Sequence, residues 1–329
     1  MQILITNNTK SIHILNPQKG IGTFVFPFTG NLCIGCSSAC KYCFISIALR
    51  RPASRLFTSI EVKANFADIL HKEIRKYATL PQNLKRIQMN ESSDPYSPQV
   101  LHHMQKEMDA NPLLQMYEHL KTEWGHGNKW MMHILTKSHL ITKHLSQLEE
   151  IKEMVQIELS FCSSDETVSR TMESYTSSIK RRFETIEKLS AKGIFVRVMA
   201  MPFYDDHAKT EAFRKEVLNR GAQAFKHKKL NYYDWQTLSQ TSTAQLLNDE
   251  LKRTTGKQNE YFEDLLLKSG EPILVGGKPQ TTIALLPNVK MGENWAVVSK
   301  LQDRLSLQNT QVVDMGYSSI NNVDWGYIK

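Results

Sequence analysis

The sequence predicts an α/β protein: an incomplete (β/α)6 barrel followed by a C-terminal α/β extension. Three observations lead there. Strand-like and helix-like segments alternate through the middle two-thirds of the 329 residues, the pattern of a parallel sheet with helices outside. Four of the five cysteines lie in one stretch, Cys33 to Cys43, directly after the first strand of that alternation. Short polar runs follow several later strands, at the rim where barrels of this kind carry their chemistry.

Thr23–Pro27 reads as the first strand, leading into the cysteine loop. Glu61 to Ala78 reads as an amphipathic helix with Val62, Phe66, Ile69, Leu70 and Ile74 on one face. Arg86–Asn90 is a strand, and a helical stretch from Gln99 to Trp124 is broken near Asn111-Pro112. Met131–Leu135 is a strand, His139–Met154 a helix, and Val155–Phe161 alternates as a strand. Ser178–Lys192 is a helix closed by Gly193, and Ile194–Met201 a strand. Ala208–Asn219 is a helix, and Ala222–Phe225 the last strand before the basic run Lys226–Lys229. A barrel domain over residues 1–235 follows. Residues 236–329 form the extension, on the substrate side or structural. Polar helices are expected over Gln236–Gly270, a turn at Gly276-Gly277, a strand over Thr281–Leu286 and a helix over Trp295–Leu305.

A hydrophobic content of 41% supports a real core, and a net charge of +8 points to an acidic partner, DNA or RNA first. No apolar run approaches the about 20 residues of a membrane span. Met1–Asn8 lacks the basic and apolar regions of a secretory signal, so a reduced, cytoplasmic setting is expected.

Cys36, Cys40 and Cys43 are spaced C-x3-C-x2-C. Three thiolates this close can hold three irons of a cubane [4Fe–4S] cluster and leave the fourth open for a substrate-like molecule. Tyr42 places an aromatic ring beside that position. The competing reading is zinc, with Cys33-x2-Cys36 and Cys40-x2-Cys43 as four ligands. The gap between those pairs is far shorter than the about 12–20 residues of ordinary zinc modules, which favours iron–sulfur. Disulfide pairing fits neither the compartment nor the odd cysteine count. Cys33 is then the spare, either a small apolar residue near the cluster or a rescue ligand, with the first favoured. Polar groups recur at the strand ends: Asn90–Pro98 after the second strand, Lys137 and Ser138 after the third, Ser160 on the fourth, and Met199–Pro202 on the fifth.

These runs resemble a known family. Gly35–Cys43, Glu61–Asn65, Ser93–Pro98, Leu135–Ser138 and Arg182–Leu189 are similar, in order and spacing, to the spore photoproduct lyase-like (DNA repair photolyase-like) group of the radical S-adenosylmethionine (SAM) superfamily. The resemblance covers roughly residues 20–235. It implies a radical SAM barrel, a [4Fe–4S] cluster on Cys36, Cys40 and Cys43, and SAM chelated by the open iron. It further implies Tyr42 against the adenine end of SAM, with Phe44 at a position that is aromatic in the lyase. Ser93 and Lys137 would hold the methionine part, Ser160 would reach SAM polar atoms, and the backbone near Ala200 would meet the adenine. One electron, from a donor of flavodoxin or ferredoxin type, then cleaves SAM to methionine and a 5′-deoxyadenosyl radical that abstracts hydrogen. A second cysteine cluster, the mark of peptide-modifying members with auxiliary clusters, is absent from the sequence.

One departure matters. The lyase carries a hydrogen-donating cysteine three residues before the Asp of the second-strand loop, and here that position is Glu91, before Asp94. Cys162, ending the fourth strand, is the remaining thiol. Glu91 and Cys162 are therefore the candidate catalytic residues, and authentic repair of spore photoproduct is not expected. The substrate class implied is nucleic acid or a nucleotide-like molecule, with Arg50, Arg51, Arg55 and Lys226–Lys229 as candidate phosphate contacts. A peptide or small metabolite is the alternative substrate, and a non-catalytic iron–sulfur or zinc protein the alternative class.

Overall fold

The computed structural model describes residues 3–17, 28–43, 45, 52–80, 85–200, 203, 207–227, 273–275 and 278–280. The elements in chain order begin β1 (Leu4–Asn8), β2 (Asn16–Pro17), β3 (Phe28–Gly30), β4 (Cys33–Ile34), α1 (Ala53–Thr58), β5 (Ser59–Lys63) and α2 (Phe66–Lys76). There follow β6 (Arg86–Met89), α3 (Pro98–Lys106), α4 (Pro112–Gly125), β7 (Met131–Thr136), a 3-10 helix (His139–His144), α5 (Leu145–Glu150) and β8 (Val155–Phe161). The barrel continues with α6 (Glu166–Met172), α7 (Ile179–Ala191), β9 (Phe195–Ala200), α8 (His207–Asn219) and β10 (Ala224–His227). Two short strands, β11 (Ile273–Val275) and β12 (Lys278–Gln280), complete the set.

Strands β3, β6, β7, β8, β9 and β10 pair in that order and all in parallel, the six strands of an open barrel. The antiparallel β2 and the β11–β12 pair extend its two edges. The expected first strand at 23–27 lies outside the described residues, as do the helices, strand and turn expected at 236–270, 276–277, 281–286 and 295–305, together with Phe44, Arg50, Arg51 and residues 228–229.

Strand β8 shows how the sequence builds the barrel. All seven residues are buried, yet they alternate chemically. Val155, Ile157, Leu159 and Phe161 join the hydrophobic core, while Gln156, Glu158 and Ser160 take the opposite face. His133 of β7 and Arg197 of β9 meet them there. Arg197 Nε lies 2.7 Å from Glu158 Oε1, and His133 Nε2 bonds the same guanidinium, with all three side chains shut from water. The lumen is therefore polar and internally paired, as a buried ion pair must be to persist.

Two sequence expectations are corrected. Glu61–Lys63 is strand, not helix: β5 pairs with β1 in parallel and β4 in antiparallel, which buries Ile60 and Val62 with period two. The helix starts later, at Phe66, with Phe66, Leu70 and Ile74 buried four residues apart. The segment His139–Met154 is not one α-helix. Ser138 Oγ caps a 3-10 turn through Leu140 N (3.2 Å), and only Leu145–Glu150 is α-helical. The break at Asn111-Pro112 is real, for Asn111 Oδ1 accepts from Leu113 N (3.0 Å) with Pro112 in the first turn.

Candidate active site

The three-stranded sheet holds the cysteine loop at the barrel rim. Cys33 pairs with Val62, and Gly35 then turns the chain at φ +90° so that Cys36 N donates to Leu56 O at 2.9 Å. A Cβ at Gly35 would come within 2.6 Å of Ser59 O and 2.7 Å of Leu56 O, so only glycine fits both the torsion and the space. Further along, Cys43 N closes a turn on Cys40 O (3.0 Å), and Lys41 N donates to Met172 O (3.0 Å) at the end of α6.

Cys36, Cys40 and Cys43 line one cavity of about 110 Å³. Tyr42, Glu91, Ser93 and Lys137 line it as well. Cys33 does not. It is 2% exposed, within the hydrophobic core. Cys162 and Ser160 are fully buried behind the wall, and Ala200 is buried at the end of β9, where its neighbour Met199 reaches the cavity. Among the described residues no three His, Cys, Asp or Glu side chains converge in a ligating arrangement, and the three thiols share the cavity wall without closing on one point.

The rest of the wall is tightly built. Asp94 accepts from Thr136 Oγ1 (2.8 Å), Lys137 N (2.9 Å) and Tyr96 N (3.1 Å), tying the β6 loop to the end of β7. Asn90 opens that loop in the left-handed region (φ +67°), with its N–H on Gly30 O at 2.9 Å. Lys137 Nζ lies 2.5 Å from Ser160 Oγ and 2.9 Å from Glu173 Oε1. That glutamate, which the sequence analysis missed, also accepts from the Tyr42 hydroxyl and from Arg182 Nη1 (2.9 Å). Burial alone would raise its carboxyl, but the Lys137 and Arg182 charges outweigh it and hold Glu173 at about 2.

These residues suit an iron–sulfur cluster and SAM. Burial pushes the Cys36 thiol up to about 11 and raises Cys40 and Cys43 too, so their thiolates form only where cations compensate them, as iron does. Ser93 Oγ and Asn90 Oδ1 are buried and have no partner among the described residues, a cost that a polar ligand removes. Lys137 donates to Glu173 and Ser160, which leaves one ammonium hydrogen for a carboxylate.

Comparison with known proteins agrees. The family model described as the radical SAM superfamily matches residues 31–214. The chain belongs to the radical SAM superfamily, and its cofactors are a [4Fe–4S] cluster and SAM. It is 25% identical over 202 residues to an uncharacterised protein of Acidianus two-tailed virus, covering 57% of this chain and 59% of that one. An uncharacterised protein of Mycobacterium tuberculosis is 25% identical over 194 residues, covering 57% and 53%. The chain thus spans little more than half the length of these relatives. Among solved structures, a spore photoproduct lyase mutant with bound AdoMet and dinucleoside spore photoproduct matches at TM-score 0.55 and 15% identity, over 78% of this chain and 68% of that one. The lyase complexed with dinucleoside spore photoproduct matches at TM-score 0.53 and 15% identity, over 92% and 79%. At that identity the likeness is one of fold. No described helix is long and apolar enough to cross a membrane.

Proposed function

We propose that this chain reductively cleaves SAM at a [4Fe–4S] cluster held by Cys36, Cys40 and Cys43, and abstracts a hydrogen atom from a nucleic-acid or nucleotide-like substrate. The observation that carries the reading is the shared cavity. Three cysteine thiols line it together with a lysine and a serine hydroxyl that has no hydrogen-bond partner among the described residues. The bound cofactors supply the electron transfer and the hydrogen-abstracting chemistry. The chain's own residues bind and orient. Lys137 and Ser93 hold the methionine carboxylate and amino groups, and Tyr42 is fixed by Glu173 so that its ring walls the cavity. Ser160 fixes Lys137 rather than lining the cavity itself.

The substrate class rests on the net charge of +8 and on the lyase-like fold. Anaerobic reconstitution should give brown protein with about four irons per chain. It should release 5′-deoxyadenosine from SAM, faster with nucleic acid present. Replacing Cys36, Cys40 or Cys43 with alanine should remove the iron, while Cys33→Ala should keep it. Stoichiometric zinc with no iron uptake would sink the cluster assignment. Undetectable DNA and RNA binding at low salt would turn the substrate to a peptide or small metabolite.

A further inference from the structure

A second cavity of about 180 Å³ adjoins the first, sharing Ser38, Asp94 and Lys137 with it. Its wall is rich in hydroxyl groups with hydrogens to give. Ser97 is 3% exposed, and its Oγ has no partner among the described residues. Ser138 Oγ accepts from Leu140 N (3.2 Å) and Ser178 Oγ from Arg181 N (3.3 Å), so each keeps its O–H. The same holds for Ser177. Arg181 Nη1 sits 3.3 Å from His139 Nε2 and can only donate, which makes Nε2 the acceptor. The ring proton is then on Nδ1, donated to Ser177 Oγ at 2.8 Å.

Charge and backbone point the same way. Helix α3 begins at this cavity, at Ser97, and its N-terminal end favours an anion, whereas α7, which begins at Ser178, already gives Ile179 N to Glu166 Oε2 at 2.8 Å. Arg181 has no carboxylate partner among the described residues. Arg170, also in the wall, is engaged by Glu166 at 2.7 Å. The one carboxylate in the wall, Asp94, is occupied by Thr136 and two backbone N–H groups. At the rim stands Tyr175, 51% exposed, with its ring face open to a ligand.

We infer that this cavity binds a phosphate group of the substrate, with Tyr175 stacking on the nucleoside attached to it. Serine hydroxyls arriving from separate elements suit a tetrahedral oxyanion, and a guanidinium supplies the charge. An aromatic face beside a phosphate site is the usual way to hold a nucleotide irrespective of its base. The inference deepens the nucleotide-like substrate reading and rests on it.

Calorimetry on the reconstituted protein tests it, with inorganic phosphate, a 5′-nucleoside monophosphate and a short single-stranded oligonucleotide as probes. Phosphate should bind and compete with the nucleotide. Arg181→Glu should weaken both by about 10-fold or more. Tyr175→Ala should weaken the nucleotide and leave inorganic phosphate unchanged. SAM should still alter the electron paramagnetic resonance spectrum of the reduced cluster in Arg181→Glu. Loss of that response would assign the cavity to the SAM carboxylate and overturn the inference. Oligonucleotide binding indifferent to phosphate and to Arg181→Glu would overturn it too, with the substrate reading left standing. Phosphate binding without nucleotide or oligonucleotide binding would keep the oxyanion site and remove the substrate class.

Discussion

Glu173 Oε1 stands 2.9 Å from the Lys137 ammonium, joining the end of α6 to the end of strand β7. The same carboxylate receives the Tyr42 hydroxyl from the cysteine loop and the Arg182 guanidinium from α7. One buried acid thus ties the loop, the strand rim and the outer helix together. Its arginine partner also donates to Ser160 O (2.5 Å) and Ser169 Oγ (3.0 Å).

Removing one member of such a cluster leaves buried charge without its counter-ion. Glu173→Ala should therefore destabilise the fold by about 3–5 kcal/mol in urea unfolding, and Arg182→Ala by a similar amount. The double variant should lose less than the sum, because each single change already strands the other group. Additive losses would show that the two do not act as a pair.

A second prediction concerns the torsion that launches the cysteine loop. Gly35→Ala must clash with Ser59 O and Leu56 O, the second being the acceptor for Cys36 N. The barrel core does not include Gly35, so its far-ultraviolet circular dichroism should persist. Iron content after reconstitution should fall towards that of the Cys36→Ala variant. Normal iron loading in Gly35→Ala would show that the loop tolerates another path.

Much of this was legible in the sequence, and the rest was hidden for physical reasons. Cys36, Cys40, Cys43 and Tyr42 are local in the chain, so spacing alone brought them together. The alternation in Val155–Phe161 gave the strand but not the meaning of its polar face, which is a paired lumen instead of a solvated one. Glu61–Lys63 misled because Val62 and Phe66 also fit a helical face, and the pairing strand that decides the matter lies over 50 residues away, at Leu4–Asn8. Glu173 was missed with helix α6, although it left a trace. It is the C-cap of α6, where the helix dipole disfavours an acid, so a tertiary partner was needed to keep it there.

His144 gives a pH prediction. Its ring is 4% exposed and packs edge-on against Tyr96 and Tyr117, and burial, helped by Lys143, holds its pKa down to about 4. The unfolded chain takes up that proton first, near the ordinary histidine value of about 6.5. The stability from neutral burial is therefore complete above that value and lost as pH falls towards about 4. Over that window the wild type should lose about 2–3 kcal/mol more than His144→Phe in denaturant unfolding. Parallel pH profiles for the two proteins would rule the mechanism out.

The last prediction separates the two candidate catalytic residues. Glu91 lines the cysteine cavity and is exposed, whereas Cys162 is fully buried and lies outside the cavity wall. Burial also raises the Cys162 thiol well above its usual range, with the nearby Glu173 charge adding to the effect. A thiol so enclosed cannot reach a substrate carbon without the strand end opening. A carboxylate has no weak bond from which to give a hydrogen atom, but as a general base it can take the proton that leaves when the substrate radical is oxidised, for which the oxidised [4Fe–4S] cluster would be the one-electron acceptor. Glu91→Gln should therefore slow product formation more than SAM cleavage, separating 5′-deoxyadenosine release from turnover. Cys162→Ala should stay active, with about one SAM consumed per product. Quantifying 5′-deoxyadenosine, residual SAM and product in one time course checks all three. Complete loss of product in Cys162→Ala, with its iron content intact, would instead make that buried thiol the hydrogen donor.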